Sequence, residues 1–209
     1  APRRASGRPA VLALLLGAAI LLSSCIGLDA RATVSADGSG RLKLAYRVSK
    51  MFVSLDALEG SERLLPLPLS REEFDRAALG VAGLEVLSYS RKETEDDLAV
   101  EAELAFASPA VLAAFLDPKG ERASYVESGG ERRLKLTLAP GAAALSPDLE
   151  RLVKAAFEPY AINLAVRAPS ALKSAGIGKT SRDGVEASYS SPAATLASSR
   201  SPVVWEIRW

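Results

Sequence analysis

Arg41-Leu42-Lys43-Leu44-Ala45-Tyr46-Arg47-Val48 is the stretch that decides the fold. Leu42, Leu44, Tyr46 and Val48 alternate with Arg41, Lys43, Ala45 and Arg47. A period of two is that of a β-strand, and the apolar half of the pattern marks one covered face. Just upstream, Asp37-Gly38-Ser39-Gly40 has the composition of a hairpin turn, which makes residues 31–36 the partner strand. The alternation recurs at Leu98–Phe106 around Glu101 and Glu103, and at Leu134–Leu138 around Arg133, Lys135 and Thr137. It returns at Ile162–Val166 around Asn163, and at Val203–Trp209 around Glu206 and Arg208. One-sided strands of this kind belong to an antiparallel sheet with one face covered.

Three stretches carry helical spacing instead. Ser70 is placed to cap a helix, with Glu73 completing a capping box and Phe74 turned inward. Ser108-Pro109 opens a second, with Val111, Leu112, Phe115 and Leu116 on one side. Ser146-Pro147 opens a third, with Leu149, Leu152, Val153, Ala156 and Phe157 inward and Glu150, Arg151 and Lys154 wet. Ser128-Gly129-Gly130 predicts a tight turn between 121–127 and 131–138, and Pro66-Leu67-Pro68 a loop. Gly83-Leu84-Glu85-Val86 reads as the start of a strand. Residues 169–201, rich in Ser, Ala and Gly, read as loops with one short strand near 185–189. The sum is an α+β fold: an antiparallel, curved β-sheet with about three short helices on one face.

The first 25 residues follow a different logic. Arg3, Arg4 and Arg8 form a positive start, and residues 10–22 are an uncharged run rich in Leu and Ala. A membrane-spanning helix needs about 20 apolar residues, so the run fits a signal peptide. Leu22-Ser23-Ser24-Cys25 then resembles the bacterial lipobox, an aliphatic residue and two small ones before a Cys. In that motif the Cys thiol receives a diacylglycerol, and cleavage before it frees an amine that is acylated in turn. The resulting division is a lipoprotein signal peptide over 1–24, a lipidated Cys25 with a tether over 25–30, and one extracytoplasmic domain over 31–209. Several acyl chains give a stable anchor where one gives a marginal one. The expected place is the bacterial cell envelope, lipid-anchored to a membrane and facing periplasm or cell surface.

Composition narrows the function. Three of the 26 basic residues precede Cys25 and no acidic residue does, leaving 23 basic against 25 acidic, a net of −2. Nucleic-acid binding needs a concentrated basic footprint, so none is expected. The chain has no His and one Cys, which removes the commonest general base and any Cys-based zinc cage. No metal or cofactor is expected.

The layout resembles the LppM-like group of bacterial envelope lipoproteins. The matching features are the lipobox Cys25, a strand ending in Asp37-Gly38-Ser39-Gly40, a long second strand, the Gly83-Leu84-Glu85-Val86 strand start and a C-terminal strand bearing Trp205. The resemblance implies a periplasmic or surface α+β domain that cradles lipid or glycolipid, and it brings no catalytic residues.

Chemical motifs are few. Gly176-Ile177-Gly178-Lys179-Thr180 looks like the end of a phosphate-binding loop, but Lys173 stands where that loop needs its first Gly, so it reads as a flexible turn. Ser170-Ala171-Leu172-Lys173 fits S-x-x-K without the companion elements of a Ser/Lys hydrolase, so Ser170 reads as a turn cap after Pro169. Glu93, Glu95, Asp96 and Asp97 lack the spacing of a calcium loop and read as a solvated hairpin tip. Arg41, Lys43, Arg47, Arg133, Lys135 and Arg167 lie on polar sides of strands. They form a basic stripe for lipid head groups if those strands are neighbours, or cross-strand pairs with Glu101 and Glu103. Trp205 and Trp209 share one strand face, either in the core or lining an apolar pocket for ligand. The leading expectation is a non-enzymatic lipoprotein binding an amphipathic or lipid ligand. The alternatives are a structural or protein-interaction lipoprotein with a filled core, and a Ser/Lys-type envelope hydrolase using Ser170 and Lys173.

Overall fold

A computed structural model of the chain describes residues 26–50, 67–141 and 147–209. The expected signal peptide, with Leu22, Ser23 and Ser24, and Cys25, Pro66 and the expected cap Ser146 lie outside these residues. Strand β1 (Ile26–Val34) and strand β2 (Gly40–Ser49) form the first hairpin, with Ile26 opposite Val48 and Val34 opposite Gly40. Helix α1 (Arg71–Gly80) follows, then the hairpin of β3 (Leu84–Glu93) and β4 (Asp97–Phe106). Helix α2 (Pro109–Leu116) precedes a second hairpin, β5 (Ala123–Ser128) and β6 (Glu131–Ala139). After helix α3 (Pro147–Phe157) come β7 (Ala161–Arg167), β8 (Lys179–Thr180), β9 (Glu186–Pro192), helix α4 (Ala193–Ala197) and β10 (Val203–Arg208).

The local signals act as the sequence predicts. Ser70 accepts a hydrogen bond from Glu73 N at 3.2 Å while Glu73 accepts one from Leu69 N at 2.6 Å. Ser108 caps α2 through Val111 N. Gly129 and Gly130 both have positive φ, the demand of a two-residue hairpin turn with matching twist. Along β2 the residues alternate between buried and exposed, with Leu42, Leu44, Tyr46 and Val48 at most 3% exposed.

The fold is the expected α+β, largely antiparallel and curved, with three corrections of arrangement. The strands form two sheets, one of seven in the order β3-β4-β2-β1-β7-β9-β8 and one of three in the order β10-β6-β5. Strand β1 pairs with β7 in parallel, from Leu28 opposite Ile162 to Thr33 opposite Arg167. Residues 26–30 are not a tether: all five pair with β2 and 28–30 also with β7, because Leu28 and Ala30 continue the apolar alternation of β1.

The tail is also more regular than a run of loops, holding β8, the whole of β9 and the short helix α4. One face of the large sheet is buried, and a single apolar cluster joins it to the small sheet and the helices. Phe74 from α1 meets the Tyr89 ring at 5.6 Å, and α2 contributes Leu112 and Phe115. Tyr46 and Tyr89 donate to the carbonyls of Pro68 and Leu69, tying the entry of α1 to the sheet. Burial pushes both phenols above their ordinary range. From α3, Phe157 is buried; the side chains of Leu149, Leu152, Val153 and Ala156 are outside the description. The opposite face of the large sheet carries the polar half of each strand.

Candidate functional site on the open sheet face

The polar half of the alternation falls in rows across the open face. One row runs Ser88, Glu103, Lys43, Arg31 and Ala165; the next runs Ser90, Glu101, Ala45, Asp29 and Asn163. Small residues at Ser88 and Ala45 leave a shallow, open concavity of about 290 Å³, bordered by Asp29, Arg31, Lys43, Ser88, Glu101 and Glu103.

Charges on this face are mostly matched. Arg41 reaches Glu103 at 2.9 Å, Arg47 lies 3.8 Å from Asp97, and Arg167 pairs with Asp183 at 2.8 Å. Cross-strand pairing is therefore what these arginines do, as the second of the two sequence readings had it. The continuous basic stripe does not form, because Arg133 and Lys135 sit on β6 in the other sheet. Arg133 instead meets Glu131 and Glu206 at 3.4 and 3.8 Å.

Arg31 and Lys43 are different. They face each other in register across β1 and β2, and among the described residues neither is in an ion pair. Like charges directly opposite are destabilising on a sheet, and Glu103, opposite Lys43 on its other side, is engaged by Arg41, so the pair is suited to an anionic group held between them. Lys43 is legible as a cation on a polar strand face; Arg31 needs the β1–β2 register to be seen.

A second constellation lies at the Ile26 end of the same sheet. Tyr160 donates its phenol hydrogen to Asp97 Oδ1 at 2.8 Å, and the Arg47 guanidinium lies 5.9 Å from the centre of its ring. Gly27 lets the ring pass against β1: a Cβ there would lie 3.3 Å from Tyr160 Cδ1. Lys50 and Arg91 hold Glu93 at 3.6 and 2.6 Å, and the Arg91 hydrogen bond keeps the Glu93 carboxyl below its ordinary range. The acidic cluster at 93–97 is thus divided, with Glu93 and Asp97 engaged by cations and Glu95 and Asp96 exposed in the turn.

The other sequence candidates fall elsewhere. Trp205 is fully buried, donates Nε1 to Ala175 O at 3.0 Å and packs on Tyr189 with ring centres 6.1 Å apart. Trp209 is 4% exposed and packs on Tyr125. Both sit in the core cluster, and neither borders the concavity. Of Ser170 and Lys173, the latter's Nζ forms an ion pair with Glu131 at 3.7 Å.

Gly176-Ile177-Gly178 is a turn, closed by Gly178 N donating to Ala175 O at 2.9 Å, but a closely packed one. A Cβ on Gly176 would stand 2.6 Å from Glu206 O, and one on Gly178 2.6 Å from Ser188 O and 2.7 Å from Trp205 Nε1. Lys179 and Thr180 go on to pair with Ser188 and Ala187. These glycines permit close approach of backbones, a packing role that spacing alone does not reveal.

Among the described residues no helix is long and apolar enough to cross a membrane. No family model and no curated protein matches the chain. Among solved structures, the NMR structure of the Mycobacterium tuberculosis LppM protein folded domain is similar to it, with a TM-score of 0.44 and 14% identity, covering 89% of this chain and 90% of that one.

Proposed function

We propose that the chain is a bacterial lipoprotein, held on a membrane of the cell envelope by acyl groups on Cys25, and that its domain binds an amphipathic ligand without catalysing a reaction. The observation that carries the anchor is the meeting of sequence and fold at one position. The lipobox ends at Cys25, and strand β1 is in register from Ile26 onward. The residue that follows the proposed lipidation point is therefore already a paired member of β1.

Binding is supported by the open face. The core is filled by large side chains, Trp205 among them, while the concavity outside it is lined by the opposed cations Arg31 and Lys43. The anionic part of a ligand's polar end would sit between them, with Asp29, Glu101 and Ser88 available to its donors. The absence of His and the ion pair of Lys173 with Glu131 support the non-catalytic part.

Expression of the full chain in a bacterial host tests the anchor. Wild-type protein should carry diacylglycerol on Cys25 by intact mass and pellet with membranes, and Cys25→Ser should do neither. An unmodified wild-type Cys25 would end the lipoprotein reading. Native mass spectrometry of the acylated protein tests the ligand site. A reproducible lipid adduct is expected, and it should be lost in the Arg31→Ala/Lys43→Ala variant; an adduct unchanged by that variant would place the ligand elsewhere. A second reading, a structural or partner-binding lipoprotein, is favoured by the packing of both tryptophans into the core. A clean apo mass together with a specific cross-linked envelope protein would select it.

A further inference from the structure

We infer that the Ile26 end of the seven-stranded sheet is the rim that the domain turns toward the bilayer, with the strands standing away from the membrane. The inference rests on the proposal that Cys25 carries the anchor. Its own observation is topological: β1 is the fourth of seven strands, so the anchor leaves from the middle of the sheet.

Ile26 is already opposite Val48, so no slack separates the fold from the anchor. Consecutive Cα atoms are about 3.8 Å apart, and this is all the reach the chain has there. A sheet lying flat on the bilayer would have to turn the chain through a right angle at that one link.

The same end gathers the close of β2, β3 and β9 and the start of β4 and β7. It is cross-braced by the bonds already described. Tyr160 at the head of β7 is tied to Asp97 of β4, Arg47 of β2 lies over the Tyr160 ring, and Gly27 of β1 makes room for it. Arg47 and Glu93 are matched by Asp97 and Arg91 while Glu95 and Asp96 stand exposed in the turn, so the rim offers a polar surface. That chemistry fits the polar head-group layer of a zwitterionic bilayer.

The test uses the full, acylated chain in phosphatidylcholine vesicles containing a nitroxide head-group lipid. Acylation blocks the Cys25 sulfur, so one added cysteine is the sole free thiol for a fluorophore. Glu95→Cys labels the turn at the rim, and Ala36→Cys labels the turn at the far end; both positions are exposed. The ten residues of β2 put these turns about 30 Å apart. The Glu95→Cys probe should be quenched several-fold more than the Ala36→Cys probe. Equal quenching, or stronger quenching at position 36, would overturn the orientation while leaving the anchor in place. Intact mass of the same samples separates the two failures: absence of the acyl groups sinks the anchor, and the orientation with it.

Discussion

Gly178 shows how much a single hydrogen atom can decide. The backbone of β9 and the indole of Trp205 close in on its Cα from two directions. Neither neighbour is the free end of a flexible side chain, so Gly178→Ala has no cheap relaxation. The expected loss is about 1–3 kcal/mol, the range for overpacking, read as a lower urea midpoint with an unchanged slope.

Asp183 works through charge instead. Ser181 and then Arg167 hydrogen-bond its carboxylate and hold its pKa at about 2, below the ordinary 3.8. A depressed folded-state pKa adds stability that is present above the unfolded value and lost as pH falls through the folded one. Wild type should therefore lose this increment between about pH 4 and pH 2. Asp183→Asn should lack it at neutral pH and show a flatter stability profile across that window, as thermal melts at stepped pH would reveal. The side chain is exposed, so the increment is small.

At the scale of elements, α1 is defined by its first turn. The exchange between Ser70, Glu73 and Leu69 satisfies the Glu73 N–H of the first turn and the Leu69 N–H just before the cap, and it aims Phe74 at Tyr89. Ser70→Ala should cost about 1 kcal/mol in chemical denaturation and leave the fold intact. Elements with such local devices are the ones legible in the sequence: the alternating strands, the Gly129-Gly130 turn and the starts of α1 and α2. What was hidden is non-local. Asp29 and Asn163 touch across the β1–β7 seam although 134 residues separate them, and no short pattern announces a parallel pairing. Helix α4 has no side-chain cap, so its start carries no signal. Half of the candidate site was similarly obscured, since Arg31 matters only through its register with Lys43, and Tyr160 only through the closeness of Gly27 and Asp97.

For the molecule as a whole, the two sheets are one unit. Residues 172–174 run along β10, with Lys173 N donating to Arg208 O at 2.7 Å and Arg208 N donating to Ser174 O at 2.9 Å. Trp205 reaches from the small sheet to Ala175 and Tyr189, beside the large one. Trp205→Ala should cost about 3–5 kcal/mol. Because the apolar cluster is continuous, both sheets should still unfold in a single transition, with tyrosine fluorescence and far-ultraviolet circular dichroism giving coincident curves.

The central place of β1 also has a mechanical meaning. With Cys25 as the proposed anchor, a pull between membrane and domain would enter at Ile26 and run along the axis of a strand flanked on both sides. Nine paired positions with β2 and six with β7 then bear the load in shear, all at once, where an edge strand would peel away bond by bond. Force applied through the anchor should rupture the sheet in one abrupt event, and a single-molecule trace showing gradual unzipping of β1 would contradict that geometry.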